Sequence, residues 1–278
     1  MTDREREADI LMKKFVRVIK WCLVLTLAGS LLVIGRQTYD SWRNEQASAE
    51  AAQIAGLSES GRAAPSRPPA SEDAPLPDPL PDEASALAEI DLAALQAVNG
   101  DVAGWIMIPG TELSYPVMQG EDNQYYLSRS WKGEANASGS VFLESTCDKA
   151  LTDFHTIVYA HRMRNDTMFG TLKYYNTLDF WQKHPSVYVA AENGDIYRYD
   201  IFAAHEVSTK GIIYRLDIEE NRLEDELIRA CLENSAIDTE IVPTGEDRLL
   251  TLSTCTATGR VDRWVVHAVL RAQYKSAR

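Results

Sequence analysis

The chain has 278 residues, of which 45% are hydrophobic and 25% charged, with 28 basic and 41 acidic side chains. This balance is typical of a globular protein and excludes a wholly disordered or fibrous chain. The formal net charge of −13 argues against a nucleic-acid partner, because proteins that bind phosphate backbones carry basic surfaces. Four cysteines without a Cys-x-x-Cys pair are too few for a disulfide scaffold and argue against structural zinc.

An uncharged apolar segment lies close to the N-terminus. Residues 21–34 (WCLVLTLAGSLLVI) carry no charge. As a helix they would span about 21 Å, less than the roughly 30 Å hydrocarbon core of a bilayer. Extension back to Phe15 supplies the missing length, since Arg17 and Lys20 can place their charges among the lipid headgroups.

A buried helix and a cleaved signal peptide are the two alternatives to a membrane anchor. The apolar residues occupy every face of the segment, whereas a helix of a soluble domain usually has one polar face. The sequence Ala47-Ser48-Ala49 resembles a cleavage site, but it lies too far beyond the apolar core for ordinary processing. We predict a cytoplasmic tail over residues 1–14 and a transmembrane anchor over 15–35. The excess of Lys and Arg on the N-terminal side places the N-terminus in the cytoplasm.

The composition changes after the anchor to Ala, Glu, Ser and Pro. Seven of the 11 prolines fall within residues 65–81. Alternation such as PLPDP favours extended polyproline II without a core. We predict an extracellular stalk over residues 36–85 that is followed by one folded domain over 86–278.

Short apolar runs rich in Val, Ile, Tyr and Trp dominate the predicted domain, as is typical of strands. They lie at 105–108, 140–143, 156–160, 187–190, 196–203, 248–254 and 263–270. Asp91 is placed to cap a short helix over 92–98. Residues 217–234 predict one long amphipathic helix with Cys231 on its apolar side. Many short strands with few helices predict a mainly β fold, a barrel or sandwich with added helices.

Two of the four cysteines are candidates for a reactive thiol. Cys22 lies inside the predicted anchor, and Cys231 lies where a buried free cysteine acts as a small hydrophobe. Cys147 and Cys255 both follow Ser-Thr, so the tripeptide does not separate them. Cys255 ends the strand-like run LLTLSTC, and a rigid strand end holds a nucleophile in a fixed geometry. Cys147 precedes a polar run and is predicted in a loop, with a Cys147–Cys231 disulfide as an open alternative.

A cysteine nucleophile needs a partner that moves protons, because a free thiol is mostly protonated at pH 7. His161 directly follows the run TIVYA, a position like that of Cys255, and is the preferred candidate. The other histidines suit structural or solvated positions. They are His155 in a polar loop, His184 before a proline, and His205 and His267 within strands.

The attacked carbonyl needs a donor for the negative charge that develops on its oxygen. Arg263 opens the strand that follows Cys255, and a hairpin over 255–263 would bring it back beside the cysteine. Arg260 is the weaker candidate, since it lies in the turn. A surface ion pair with Asp262 is the alternative role for Arg263.

At this point the motifs resemble those of class B sortases. The likeness is carried by TLSTC at 251–255, RWVV at 263–266, TIVYAH at 156–161, MFG-x-L at 168–172, GSVFLE at 139–144 and GWIMIPGTELSYPVMQGEDNQYYL at 104–127. It covers about residues 86–272, with the motifs in the family's order. Ala160, Arg162 and Thr256 depart from the residues common at those positions, which bears on the substrate motif rather than on the reaction.

The resemblance implies an eight-stranded β-barrel with added helices, preceded by one transmembrane helix. It implies a membrane-anchored cysteine transpeptidase of Gram-positive bacteria. Such an enzyme cuts a C-terminal sorting signal on a secreted protein and joins the protein to an amine of the cell wall or its peptidoglycan precursor. Cys255 would be the nucleophile, His161 the proton carrier and Arg263 the oxyanion donor. The groove residues implied are Ser253, Thr254, Asn123, Leu127, Thr209 and Tyr214, and no cofactor or metal is expected.

Three other functions stay open as alternatives. A pilin polymerase would use the same residues, with a lysine of another pilin subunit as the acceptor. An inactive anchored binding module would keep the fold without its chemistry, although the set Cys255, His161 and Arg263 is complete. A papain-type cysteine protease is disfavoured, because the chain is rich in β structure and its cysteine follows its histidine.

Overall fold

The computed structural model describes residues 3–57, 80–216, 221–255 and 262–275. It contains two compact units, residues 1–45 and residues 46–278. The first unit consists of most of one long helix, α1 (Asp3–Ile54), whose last turns belong to the second unit.

The first unit contains a candidate membrane span. By length and composition α1 is apolar enough to cross a bilayer. The large apolar side chains between Trp21 and Ile34 are exposed, with Leu32 at 76%. Such a surface suits contact with lipid, which fits the predicted anchor over 15–35.

The second unit is built on a closed β-barrel. Among the described residues, eight strands form it in the order β1-β2-β3-β4-β7-β8-β6-β5. The strands are β1 (Val102–Met107), β2 (Ser114–Met118), β3 (Val141–Leu143), β4 (His155–Ala160), β5 (Ser186–Ala191), β6 (Ile196–Ser208), β7 (Leu249–Cys255) and β8 (Asp262–Tyr274). The β2–β3 and β4–β7 pairs are parallel, and the remaining pairs are antiparallel. The predicted mainly β barrel with added helices is therefore confirmed.

Short helices cover the barrel. They are α2 (Leu92–Val98), α3 (Leu178–Lys183) and α4 (Asn221–Glu233), with 3-10 helices at Asp82–Glu89, Tyr125–Ser128, Gly170–Asn176 and Ile212–Tyr214. Asp91 caps α2 as predicted, because its carboxylate accepts a hydrogen bond from the amide of Ala94 at 3.0 Å. The predicted helix over 217–234 is found as α4, and residues 217–220 lie outside the described part of the chain.

One strand does not appear among the sequence predictions. β2 is five residues long and contains Pro116, a residue that disfavours a strand assignment. Pro116 lies opposite Trp105 of β1, whereas β3 pairs only with the last two residues of β2. The proline is tolerated because the ladder on its other side begins one residue later.

The barrel interior is filled by aliphatic and aromatic side chains from alternate strand positions. Val158, Leu250, Leu252 and Val266 belong to this core. Alternation therefore sends the intervening residues of β4, β7 and β8 to the outer face of the barrel. Part of that outer face is covered by α4, whose buried Leu227 and Cys231 pack there.

The end of α1 packs on the second unit. Ala51 and Ala55 are fully buried in a cluster with Ala84 and Leu95, and the indole nitrogen of Trp131 donates to the carbonyl of Ala47 at 2.7 Å. Residues 46–57 and the 3-10 helix at Asp82–Glu89 thus belong to the folded unit, although the sequence predicts stalk there. Small alanine side chains allow this close helix packing. Residues 58–79, the Pro-rich part of the predicted stalk, lie outside the described residues.

We expect residues 46–57 to stabilise the barrel. A fragment of residues 46–278 should unfold at a higher temperature than one of residues 86–278. The shorter fragment loses apolar burial, so its free energy of unfolding should be lower by about 2–4 kcal/mol. Thermal unfolding followed by circular dichroism measures this difference. In the longer fragment, Trp131→Phe should cost about 1 kcal/mol through the lost hydrogen bond. Equal stability of the two fragments would show that this packing contributes nothing.

Three histidines of β4, β6 and β8 lie on the outer face of the barrel, and all three are buried. Thr251 bridges two of them, with its hydroxyl 2.7 Å from Nε2 of His155 and 2.8 Å from Nδ1 of His267. The rings of His205 and His267 are 5.0 Å apart. The prediction that His155 lies in a solvated loop is wrong, because it is the first residue of β4 and is 4% exposed, with its ring hydrogen bonded to the hydroxyl of Thr251.

These histidines make the stability of the fold depend on pH. Burial lowers the pKa of His155 to about 4 and lowers the pKa of His205. Burial and the neighbouring histidines lower the pKa of His267. Below its ordinary pKa near 6.5 an unfolded histidine binds a proton that the folded protein excludes, so the free energy of unfolding falls as pH falls.

We therefore expect full stability above about pH 6.5 and a steady loss toward pH 4, by up to about 1.4 kcal/mol per pH unit for each histidine. Urea unfolding at a series of pH values measures this slope. His155→Gln keeps a polar partner for Thr251 but binds no proton, so its slope should be shallower. An unchanged slope in this variant would assign the pH dependence to other groups.

Candidate active site

Strand register brings the three predicted catalytic positions to one rim of the barrel. β4 and β7 are parallel and end together, with Ala160 opposite Thr254. β8 runs antiparallel to β7, and its second residue, Arg263, lies opposite Cys255. His161 follows Ala160 directly. Adjacent strands lie about 4.8 Å apart. His161, directly after β4, and Arg263, in β8, therefore flank Cys255 on its two sides.

The hairpin that links Cys255 to Arg263 has the register that the sequence predicts. Arg263 is also opposite Val207 near the end of β6, so it sits between two strand ends. Its side chain is half-buried, and Nη1 donates to the carbonyl of Asp262 at 3.2 Å. Residues 256–261, which include Thr256 and Arg260, lie outside the described residues, and so does the side chain of Cys255.

His161 is oriented by a backbone carbonyl. Its Nε2 lies 2.7 Å from the carbonyl oxygen of Leu127. A carbonyl oxygen only accepts hydrogen bonds, so Nε2 carries the proton of this bond. Nδ1 is then the nitrogen that can gain or lose a proton without breaking it. The backbone of His161 is also held, since the amide of Phe169 donates to the carbonyl of His161 at 3.1 Å.

The predicted groove residues lie in two parts of the chain, one at the ends of β6 and β7 and the other on the segment before β3. Ser253 and Tyr214 meet, with their hydroxyl oxygens 2.8 Å apart. Thr209 is half-buried in the turn between β6 and the 3-10 helix that carries Tyr214. Thr254 is 1% exposed, and alternation along β7 directs its side chain to the barrel side, as for Leu252. The side chain of Thr254 therefore lies away from Ser253.

Leu127 and Asn123 lie on the segment that supports His161. The side chains of Leu127, whose carbonyl binds His161, and of Tyr125 are exposed. Asn123 donates to a carboxylate oxygen of Glu144, and its amide oxygen accepts from the amide of Ser145 at 2.8 Å. Sequence reasoning gives Glu144 no role, although a charged residue directly after the apolar run SVFL is a signal of a special position.

The other described cysteines lack the surroundings of a reactive thiol. Cys147 is 7% exposed, and its sulfur lies 3.8 Å from the carbonyl of His155. Burial raises the pKa of the Cys147 thiol to about 12, and burial also raises the pKa of Cys231. Both are free thiols, so the alternative of a disulfide between them is not found. Low thiolate content makes both poor nucleophiles.

The described part of the chain contains no cluster of three or more His, Cys, Asp or Glu side chains placed to hold a metal ion. The polar groups at the rim are suited to nucleophilic and acid–base chemistry by side chains. They comprise a histidine held at one nitrogen, an arginine beside a strand-end cysteine, and a Ser–Tyr pair. These are the parts that covalent catalysis at a carbonyl requires.

Comparison with known proteins agrees with this geometry. A family model described as Sortase domain matches residues 106–271. The chain is 33% identical over 166 residues to sortase B of Listeria monocytogenes, covering 59% of this chain and 67% of the relative. The structure is similar to a Staphylococcus aureus sortase B-substrate complex (TM-score 0.61, 31% identity, 64% of this chain, 83% of that one). It is also similar to Bacillus anthracis sortase B (TM-score 0.66, 28% identity, 84% and 98%).

The matched region begins at the end of β1 and ends within β8, so it includes the rim on which His161, Cys255 and Arg263 lie. The curated relative is matched over about two thirds of its own length. The family model describes a sortase domain, and the curated relative and the two solved structures are sortase B. The chain therefore belongs to the sortase family, as a class B sortase, a cysteine transpeptidase.

Proposed function

We propose that this protein is a membrane-anchored transpeptidase that cuts the C-terminal sorting signal of a secreted protein and joins the new end to an amine of the cell wall. The register of β4, β7 and β8 carries the proposal, because it puts a histidine and an arginine on the strands that flank a cysteine. A substrate complex is known for the Staphylococcus aureus relative. The sorting signal is the corresponding substrate here.

The first step forms a thioester. The Cys255 sulfur attacks the carbonyl carbon of the threonine in the sorting signal, and a C–S bond replaces the C–N bond of the peptide. His161 takes the proton of the Cys255 thiol at Nδ1 and gives it to the leaving amine, while its Nε2–H stays on the Leu127 carbonyl. Arg263 donates to the oxygen that becomes negative in the tetrahedral intermediate. A planar guanidinium offers several donors in a fixed fork for this purpose.

The second step transfers the acyl group. The acceptor amine attacks the thioester carbonyl, His161 takes the proton of the amine, and the thiolate of Cys255 leaves. The net reaction exchanges one amide bond for another, so it needs no external energy source. The exposed apolar side chain of Leu127, whose carbonyl binds His161, restricts water at the thioester, which favours the amine over hydrolysis.

The substrate groove follows the outer face next to the rim. Tyr214 contributes its half-buried side chain, whose hydroxyl is held by the buried hydroxyl of Ser253, and Leu127 supplies an apolar contact. Thr209 borders the groove from the turn after β6. Thr254 contributes through its backbone, since its side chain is buried.

The anchor over residues 15–35 keeps the enzyme at the cell membrane as a single-pass protein, with its N-terminus in the cytoplasm and its barrel outside. The candidate span in α1 supports anchoring, and the surplus of basic residues on its N-terminal side supports the orientation. Both the secreted substrate and the cell-wall acceptor are outside the membrane, where this topology places the rim.

The test is a ligation assay with the full-length protein in detergent. Peptides with varied C-terminal sorting signals are incubated with triglycine or with a lysine amide, and mass spectrometry identifies the products. We expect a peptide cut after threonine and joined to the glycine amine. Ligation to the lysine amide alone would contradict wall anchoring and support pilin polymerisation as the function. No cleavage of any peptide would contradict the proposal.

A further inference from the structure

A buried carboxylate lies directly after β3, outside the proposed catalytic set. Glu144 is 7% exposed. Its Oε2 accepts from the hydroxyl of Tyr159 at 2.9 Å, and its Oε1 accepts from the amide nitrogen of Asn123 and from the hydroxyl of Ser145. Desolvating a carboxylate is costly unless donors surround it. The position thus needs a residue that accepts several hydrogen bonds at once.

Asn123 is held at both polar atoms by the same short segment. Its amide nitrogen donates to Glu144, while its amide oxygen accepts from the backbone of Ser145 at 2.8 Å. A carboxylate accepts only, and a backbone amide donates only, so the orientation of the Asn123 amide is fixed. Asn123 therefore joins its own loop to the end of β3.

The loop that Asn123 opens leads to the histidine. Asp122 accepts from the amides of Gln124 and Tyr125, both at 2.8 Å, and the amide of Leu127 donates to the carbonyl of Gln124 at 3.2 Å. The next group along is the carbonyl of Leu127, which binds Nε2 of His161. Hydrogen bonds joined by short stretches of backbone thus connect Glu144 to the His161 ring.

We propose that Glu144 is a positioning residue for His161, acting through Asn123 and the loop over residues 122–128. Glu144 touches no reacting atom. Its carboxylate fixes Asn123, Asn123 fixes the loop, and the loop holds the Leu127 carbonyl where it orients the imidazole. Asn123 is then primarily a connector rather than a substrate contact. The effect of Glu144 on catalysis rests on the proposed function, whereas its effect on the position of the Leu127 carbonyl does not.

Amide hydrogen exchange tests the connection without any substrate. In the full-length protein in detergent, Glu144→Ala should speed exchange at Ser145 and Leu127 by at least about tenfold, since both amides depend on the fixed loop. Glu144→Gln can still accept from Asn123 and should restore most of the protection. Asp195→Ala is the matched control, because Asp195 is 6% exposed and is also hydrogen bonded, at the β5–β6 turn. Exchange at Ser145 and Leu127 should be unchanged there.

Steady-state kinetics then test the effect on His161. Glu144→Ala should lower kcat about 10- to 100-fold through misplacement of the imidazole, with KM changed less than about twofold. Asn123→Ala should give a similar loss, and the double variant should be no worse than the worse single variant, because both act on one connection. Additive losses of kcat in the double variant would overturn the proposal. So would a loss of kcat in Glu144→Ala that is no larger than the loss in Asp195→Ala at the same loss of thermal stability.

The two experiments separate two failures. If wild-type protein processes no peptide but Glu144→Ala loses protection at Ser145 and Leu127, the proposed function is wrong and the positioning connection stands. If wild-type protein is active while both amides stay protected in Glu144→Ala, the positioning connection is wrong and the proposed function stands.

Discussion

Replacement of Cys255 with alanine is expected to abolish both cleavage and ligation of sorting-signal peptides. The proposed thioester cannot form without the sulfur, and removal of a catalytic nucleophile costs about 10⁴-fold or more in kcat. The strand ladder should remain, because Cys255 lies at the end of β7 opposite Arg263 and its backbone pairing does not depend on the side chain. Product formation measured by mass spectrometry gives the loss, and circular dichroism confirms the fold.

Cys147→Ala is the matched control for this loss. It removes a thiol that also follows Ser-Thr but is buried, with a pKa raised to about 12 by burial. The variant should lose some thermal stability through the small cavity and keep its turnover. Full activity in Cys255→Ala, or its loss in a well-folded Cys147→Ala, would show that the nucleophile is assigned to the wrong cysteine.

His161→Ala is expected to lower kcat/KM by about 10²- to 10⁴-fold. The leaving amine then has no positioned acid and the acceptor amine no positioned base. His184→Gln is the control, since the His184 ring likewise contacts a backbone carbonyl, with Nδ1 2.8 Å from the carbonyl of Pro109. Turnover should be retained in that variant. Comparable losses in the two variants would point to a structural contribution of histidine–carbonyl contacts instead of proton transfer.

Much of the barrel follows from local sequence patterns. Val- and Ile-rich runs predict seven of the strands described, and the short connection between Cys255 and Arg263 predicts their pairing. β2 escapes prediction because Pro116 interrupts a five-residue run. His155 is misplaced in a loop because polar residues precede it, while its hydrogen-bond partner Thr251 lies 96 residues along the chain.

In the site, too, residues marked by the neighbouring sequence are predicted, whereas residues whose partners lie far along the chain are not. His161 and Arg263 are recognisable because each lies at the end of a strand-like run. Glu144 is not, because its partners Asn123 and Tyr159 are 21 and 15 residues away in sequence. Only the closed barrel brings those three side chains together. The buried side of Thr254 likewise follows from the pleat of β7, which a motif does not encode.

The most direct test of the account is the intact mass of the full-length protein after incubation with sorting-signal peptides and no added amine. The account predicts a mass gain equal to the N-terminal part of one peptide, held as a thioester on Cys255 and released when triglycine is added. Peptide mapping locates the adduct. Cleavage of the peptide with the adduct on Cys147, or with no adduct while Cys255→Ala stays active, would contradict the thioacyl mechanism.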